Sequence, residues 1–150
     1  MVTLWALLGG VLLLGVVAIN VVSVLGVIVR HPFPGDFELT EIGVAVAVFA
    51  FLPYCQLMDA NVTADIFTAR APAPVLAALR ALASFVAFGF ACILAWRMYL
   101  GMLDQKEYDY TTAILQVPIW WGFVPILLSL ALLIAAALVT LIESLRGVRA

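Results

Sequence analysis

Four long uncharged apolar runs leave this chain few ways to fold. Val2 to Val29 holds 28 residues without a charge. Ile42 to Met58 is a 17-residue uncharged run bounded by Glu41 and Asp59. Ala81 to Trp96 lies between Arg80 and Arg97, and its apolar pattern reaches back to about Pro74. Thr111 to Ile142 is uncharged and most strongly apolar from near Pro118. A helix needs about 20 mainly apolar residues to cross a hydrocarbon core about 30 Å thick. The runs therefore predict an all-α integral membrane protein, a single domain over 1–150 with spans near 4–29, 40–58, 74–99 and 116–142.

Composition closes the other routes. The chain is 67% hydrophobic and 11% charged, against about 45–50% and about 25% in soluble domains. A soluble globule of this size could not hide so much apolar surface. A net charge of −2 gives no basic footprint for nucleic acid. Two cysteines cannot build a secreted disulfide scaffold. The first run is expected to stay as a helix and not be cleaved as a leader. No Lys or Arg precedes it, it far exceeds the usual leader length, and no convincing small-x-small site follows.

The connecting segments carry their own signals. His31-Pro32-Phe33-Pro34-Gly35 reads as a turn, with prolines fixing φ and glycine permitting reversal. In the polar stretch from Asp59 to Ala73, Asp59 or Asn61 can cap a short helix. Val62, Ile66 and Phe67 would share one face of it, which suits an interfacial segment. Pro53 and Pro125 are expected to kink the second and fourth helices. Trp5, Trp96, Tyr99, Trp120 and Trp121 fall near helix ends, where amphipathic rings sit at the headgroup level or pack in the bundle. Arg70, Arg80, Arg146 and Arg149 lie on one side, and Arg30, Arg97 and Lys106 on the other. The positive-inside rule then puts both termini in the cytoplasm, by a margin of one residue.

Groups for chemistry are scarce. The single histidine, His31, is in a loop, so two histidines cannot hold a haem within the chain. Cys55 and Cys92 lie in different helices and read as buried thiols. No phosphate loop or zinc motif is present, and no cofactor or metal is expected. Transporters place ionisable groups within their helices. Here only Arg80 interrupts an apolar pattern, close enough to the start of its helix to snorkel. Asn20, Ser23, Gln56 and Ser84 read as interhelical hydrogen-bond formers. Ala83, Ala87, Ala91 and Ala95 recur every four residues, and Gly43, Ala47 and Ala50 form a shorter track. Small residues allow close helix approach in lipid, within the chain or with a partner.

The stretch from Arg30 to Asp65 resembles the small membrane subunit of tripartite ATP-independent periplasmic (TRAP) transporters, the DctQ-like family. An Arg closes helix 1 and a Glu followed by an apolar residue opens helix 2, here Arg30 and Glu38-Leu39. After a long apolar helix the family has a His-apolar-x-Val-Asp motif, here Asn61-Val62-Thr63-Ala64-Asp65. The sequence departs from the pattern at Asn61 and Ala64, and by carrying Glu41 just inside helix 2. The four-helix plan extends the resemblance over the whole chain. For Glu38, Asn61 and Asp65, capping and loop anchoring stand beside subunit contact as roles.

The resemblance implies a non-catalytic subunit in a bacterial inner membrane. Its partners would be a large DctM-like transport subunit holding the substrate and sodium sites, and a periplasmic protein that delivers an organic acid. Asp104, Glu107 and Asp109 would form an acidic outer loop suited to docking that protein. The alternatives are a small subunit of a tripartite tricarboxylate (TctB-like) system, a membrane redox or enzyme subunit, and a free-standing pore or sensor.

Overall fold

The computed structural model describes residues 2–28, 30, 33–58 and 73–149, without the side chains of residues 73, 74, 76, 77, 80 and 146–149. Four helices make up the bundle: α1 (Val2–Ile28), α2 (Asp36–Leu57), α3 (Ala73–Glu107) and α4 (Trp120–Arg149). Each is long and apolar enough to span a membrane. At 1.5 Å per residue, even the 22-residue α2 reaches about 33 Å. In lipid a spanning backbone must satisfy its own hydrogen bonds, which leaves the helix as the form such runs adopt. The expected interfacial segment falls at 59–72, outside the described residues, as does His31.

The helices do not close into a symmetric square. α2 packs against α1 and α4, and α3 packs against α4. Because α4 has neighbours on two sides, it holds many of the buried side chains, including Ile126, Ser129, Leu130, Ala136 and Ala137. By contrast, α1 buries only Ala6, Gly9, Val16 and Ser23. Most of its leucines and valines face outward. An apolar exterior of this kind matches lipid or another membrane subunit, not water.

α1 and α2 approach most closely where they lack side chains. A Cβ added to Gly9 would lie 2.8 Å from the Ala50 Cβ, and one on Gly43 would collide with Val16. Ala47 and Ala50 are fully buried in the same interface. The short track Gly43, Ala47, Ala50 thus faces α1, in antiparallel register. Hydrogen bonds continue that register upward. Asn20 Nδ2 donates to Thr40 Oγ1 at 2.7 Å, and the Ser23 hydroxyl donates to the Asp36 carboxylate. α4 is tied to its neighbours by Gln56 Nε2, which donates to Thr140 Oγ1 at 3.1 Å, and by Trp5 Nε1, which donates to Ser129 Oγ at 2.9 Å. Trp5 therefore packs inside the bundle, whereas Trp96, Tyr99 and Trp121 are exposed near the opposite end.

The contact geometry separates two pairs of glycines on α1 and α2. Gly10 and Gly15 have open space where Gly9 and Gly43 have none. Overpacking a close contact typically costs about 1–3 kcal/mol. Gly9→Leu and Gly43→Leu should each lower the thermal midpoint of the purified protein in micelles, while Gly10→Leu and Gly15→Leu leave it nearly unchanged. Equal midpoints for all four would show that the α1–α2 approach does not hold the bundle together.

Candidate functional site

The end of the bundle where α2 and α4 begin gathers most of the sequence-selected residues. α1 stops where Arg30 turns into the left-handed region, with φ 60° and its N–H on the Val27 carbonyl at 3.2 Å. The arginine side chain is exposed. The turn then ends on Gly35, which precedes the first turn of α2 with φ 84°. Two acidic residues follow at once, Asp36 and Glu38, where the positive end of the helix dipole favours them.

Across from them, the α3–α4 connection folds into a small hairpin. Thr111 and Pro118 form an antiparallel bridge. The Thr112 N–H donates to the Val117 carbonyl and the Ile119 N–H to the Tyr110 carbonyl, both at 3.0 Å. Gln116 turns the tip with φ 52°. Val117 N–H is held by Thr112 Oγ1 at 3.1 Å.

Glu38 joins the two loops. One carboxylate oxygen accepts the Ile114 N–H at 2.7 Å and the other the Leu115 N–H at 3.0 Å. Beside it, Leu115 lies so close to Gly35 that any Cβ there would collide with its isobutyl group. Gly35 is thus required twice, by its φ and by its neighbour. Of the two roles open for Glu38, the described contacts fill loop anchoring.

The remaining candidates scatter. Asn61 and Asp65 lie outside the described residues, as does the side chain of Arg80. On α3, Ala91 is buried at 1% exposure, Ala87 and Ala95 are half-buried, and Ala83 is exposed. Ala83 and Ala87 border an open apolar groove with Leu79, Val86 and Phe90. The alanine track thus starts on the open surface and becomes covered only farther along α3. Asp104, Glu107 and Asp109 are all exposed, but Asp104 and Glu107 sit on the last turns of α3 and not in a loop. Lys106, between them in sequence, places its Nζ 5.5 Å from the Trp120 ring centroid.

Sequence reasoning selected Glu38 but missed what it binds. Its partners are backbone amides 76 and 77 residues away, and amides carry no residue-type signal. Gly35 was legible as a turn glycine, while its contact with Leu115 was not.

These features define a class: a multi-pass membrane protein whose polar groups tie helices and loops to one another. Between Ile42 and Met58, Ala81 and Trp96, and Thr111 and Ile142 there is no Asp, Glu, Lys, Arg or His. The family described as "Tripartite ATP-independent periplasmic transporters, DctQ component" matches residues 13–147. The chain belongs to this family, and is a small membrane subunit of a TRAP transporter. No match was found among curated proteins or among solved structures.

Removing the Glu38 carboxylate should free the hairpin without unfolding the helices. In Glu38→Ala, amide hydrogen exchange at Ile114 and Leu115 should accelerate severalfold, while amides in the middle of α4 keep their protection. Unchanged exchange at both loop amides would show that the carboxylate does not hold them.

Proposed function

We propose that this chain is a non-catalytic scaffold, bracing a separate large subunit during sodium-coupled uptake of an organic acid. The observation that carries this reading is the family membership together with helix interiors nearly free of charged groups, with none between Ile42 and Met58, Ala81 and Trp96, or Thr111 and Ile142. Pumps and transporters generally carry such groups along their substrate path. The polar side chains of this bundle instead bond helix to helix, as Asn20 does to Thr40 and Gln56 to Thr140. The substrate and sodium sites would then belong to the DctM-like subunit. A periplasmic binding protein would deliver the acid.

The membrane is a bacterial inner membrane in this reading, with both termini cytoplasmic and the Glu38-bound hairpin outside. Asp104, Glu107 and Asp109 then face the periplasm and offer part of the docking surface for the binding protein. Charges at the rim of an interface act mainly on encounter rate and salt dependence. The orientation is checked by single cysteines near Asp104 and near Thr68, in a chain without Cys55 and Cys92. An impermeant thiol reagent on cells whose outer membrane has been made permeable should label the first and spare the second. The reverse pattern inverts the topology.

The scaffold role is tested by reconstitution. Vesicles holding the large subunit should take up substrate from the loaded binding protein only when this chain is also present. The binding protein should keep its substrate affinity either way. Full-rate uptake without this chain would end the proposal.

A further inference from the structure

Beneath the hairpin, between the first turns of α2 and α4, lies a cavity of 580 Å³. That size is typical of a site for a small molecule, about 300–1,000 Å³. Its lining changes character with depth. Glu41 and Thr111 stand at one end, while Ile42, Phe49, Phe123 and Ile126 line the rest. From Glu41 to Phe49 the α2 backbone descends about 12 Å.

The level of the mouth is fixed by its neighbours. A Cβ on Gly122 would lie 3.2 Å from Ile42 Cγ2, so Glu41 and Ile42 stand level with the start of α4. The exposed Trp121 is there too. Such rings mark the headgroup zone of a bilayer. The cavity therefore runs from headgroup depth down into the hydrocarbon layer.

Glu41 is what distinguishes the mouth. It is exposed, and it has no hydrogen-bond or ion partner among the described residues. Its neighbour Glu38 spends both oxygens on loop amides. A carboxylate at the edge of a low-dielectric region attracts a cationic partner more than one in bulk water does. Asp36, Glu38, Asp104, Glu107 and Asp109 lie at this end against Arg30, Arg97 and Lys106, so its balance is acidic and disfavours an anionic partner.

We propose that the cavity is a binding site for a phospholipid with a primary-amine headgroup. One acyl chain fills the apolar slot along Ile42, Phe49 and Phe123, and the ammonium donates to the Glu41 carboxylate. The inference rests on the membrane location alone and stands whether or not the chain acts as a scaffold.

The test uses the chain purified together with its large subunit, stripped of lipid by detergent exchange. Dioleoyl phosphatidylethanolamine, phosphatidylcholine and phosphatidylglycerol are added in equal amounts, and retained lipid is read by native mass spectrometry. Phosphatidylethanolamine should be retained above the other two. E41Q should cut that retention roughly tenfold, the worth of one charge-assisted hydrogen bond. E41K should turn the preference toward phosphatidylglycerol, and A45F, on the cavity wall, should lower retention of all three. Unchanged phosphatidylethanolamine retention in E41Q overturns the proposal. So does loss of the large subunit from E41Q with lipid retention intact, which would assign the carboxylate to a cation of that subunit.

Discussion

Between helices immersed in lipid there is no hydrophobic gain to be had, because the acyl chains are as apolar as leucine. The packing of the spans follows from that condition. Cohesion must come from close backbone approach and from hydrogen bonds that have no water to compete with them. Gly9 against Ala50, and Gly43 against Val16, supply the first. Asn20 with Thr40 and Ser23 with Asp36 supply the second along the same seam. The buried stripe on α1 is accordingly narrow, Ala6, Gly9, Val16 and Ser23, while most of its leucines and valines point away. This inverts the arrangement of a soluble bundle, where the bulky residues form the core.

The two connections at one end follow a different logic, because there water and backbone polarity return. A hairpin tip leaves amide N–H groups unpaired, and Glu38 accepts two of them from the first turn of α2. The Gly35 turn lets Leu115 settle against the backbone. The result is one fastened end made from two loops far apart in sequence. The hairpin held by that fastening also lines the cavity below it, through Thr111, Thr112 and Ala113.

Spans and class were readable because hydropathy over 16 or more residues is a local, one-dimensional signal. The α2 small-residue track was also visible, since Gly43, Ala47 and Ala50 stand at helical spacing. Its counterpart was not. Gly9 is one of three glycines in the first fifteen residues, and nothing local separates it from Gly10 or Gly15. Trp5 showed the same ambiguity. An aromatic near a helix end suits a headgroup belt equally well, and only its bond to Ser129 places it inside. The hairpin went unread because Thr111 to Pro118 carries no charge and merges into the apolar run that follows. Its turn depends on Gln116 at positive φ, a state that glycine usually advertises and glutamine does not.

The reach of Glu38 also orders how the molecule is made. Chains emerge from the ribosome N-terminal end first. α1 and α2 can settle together early, since their contacts link residues within one helical hairpin. The amides that Glu38 accepts are then still unsynthesised, 76 residues further along the chain. Until α3 has crossed and the second hairpin has folded back, this carboxylate is solvated and the Gly35 turn has nothing resting on it. Closure of the Glu38 contact therefore cannot precede synthesis of the connection between α3 and α4. An arrested or truncated chain that ends before Leu115 lacks the means to make it.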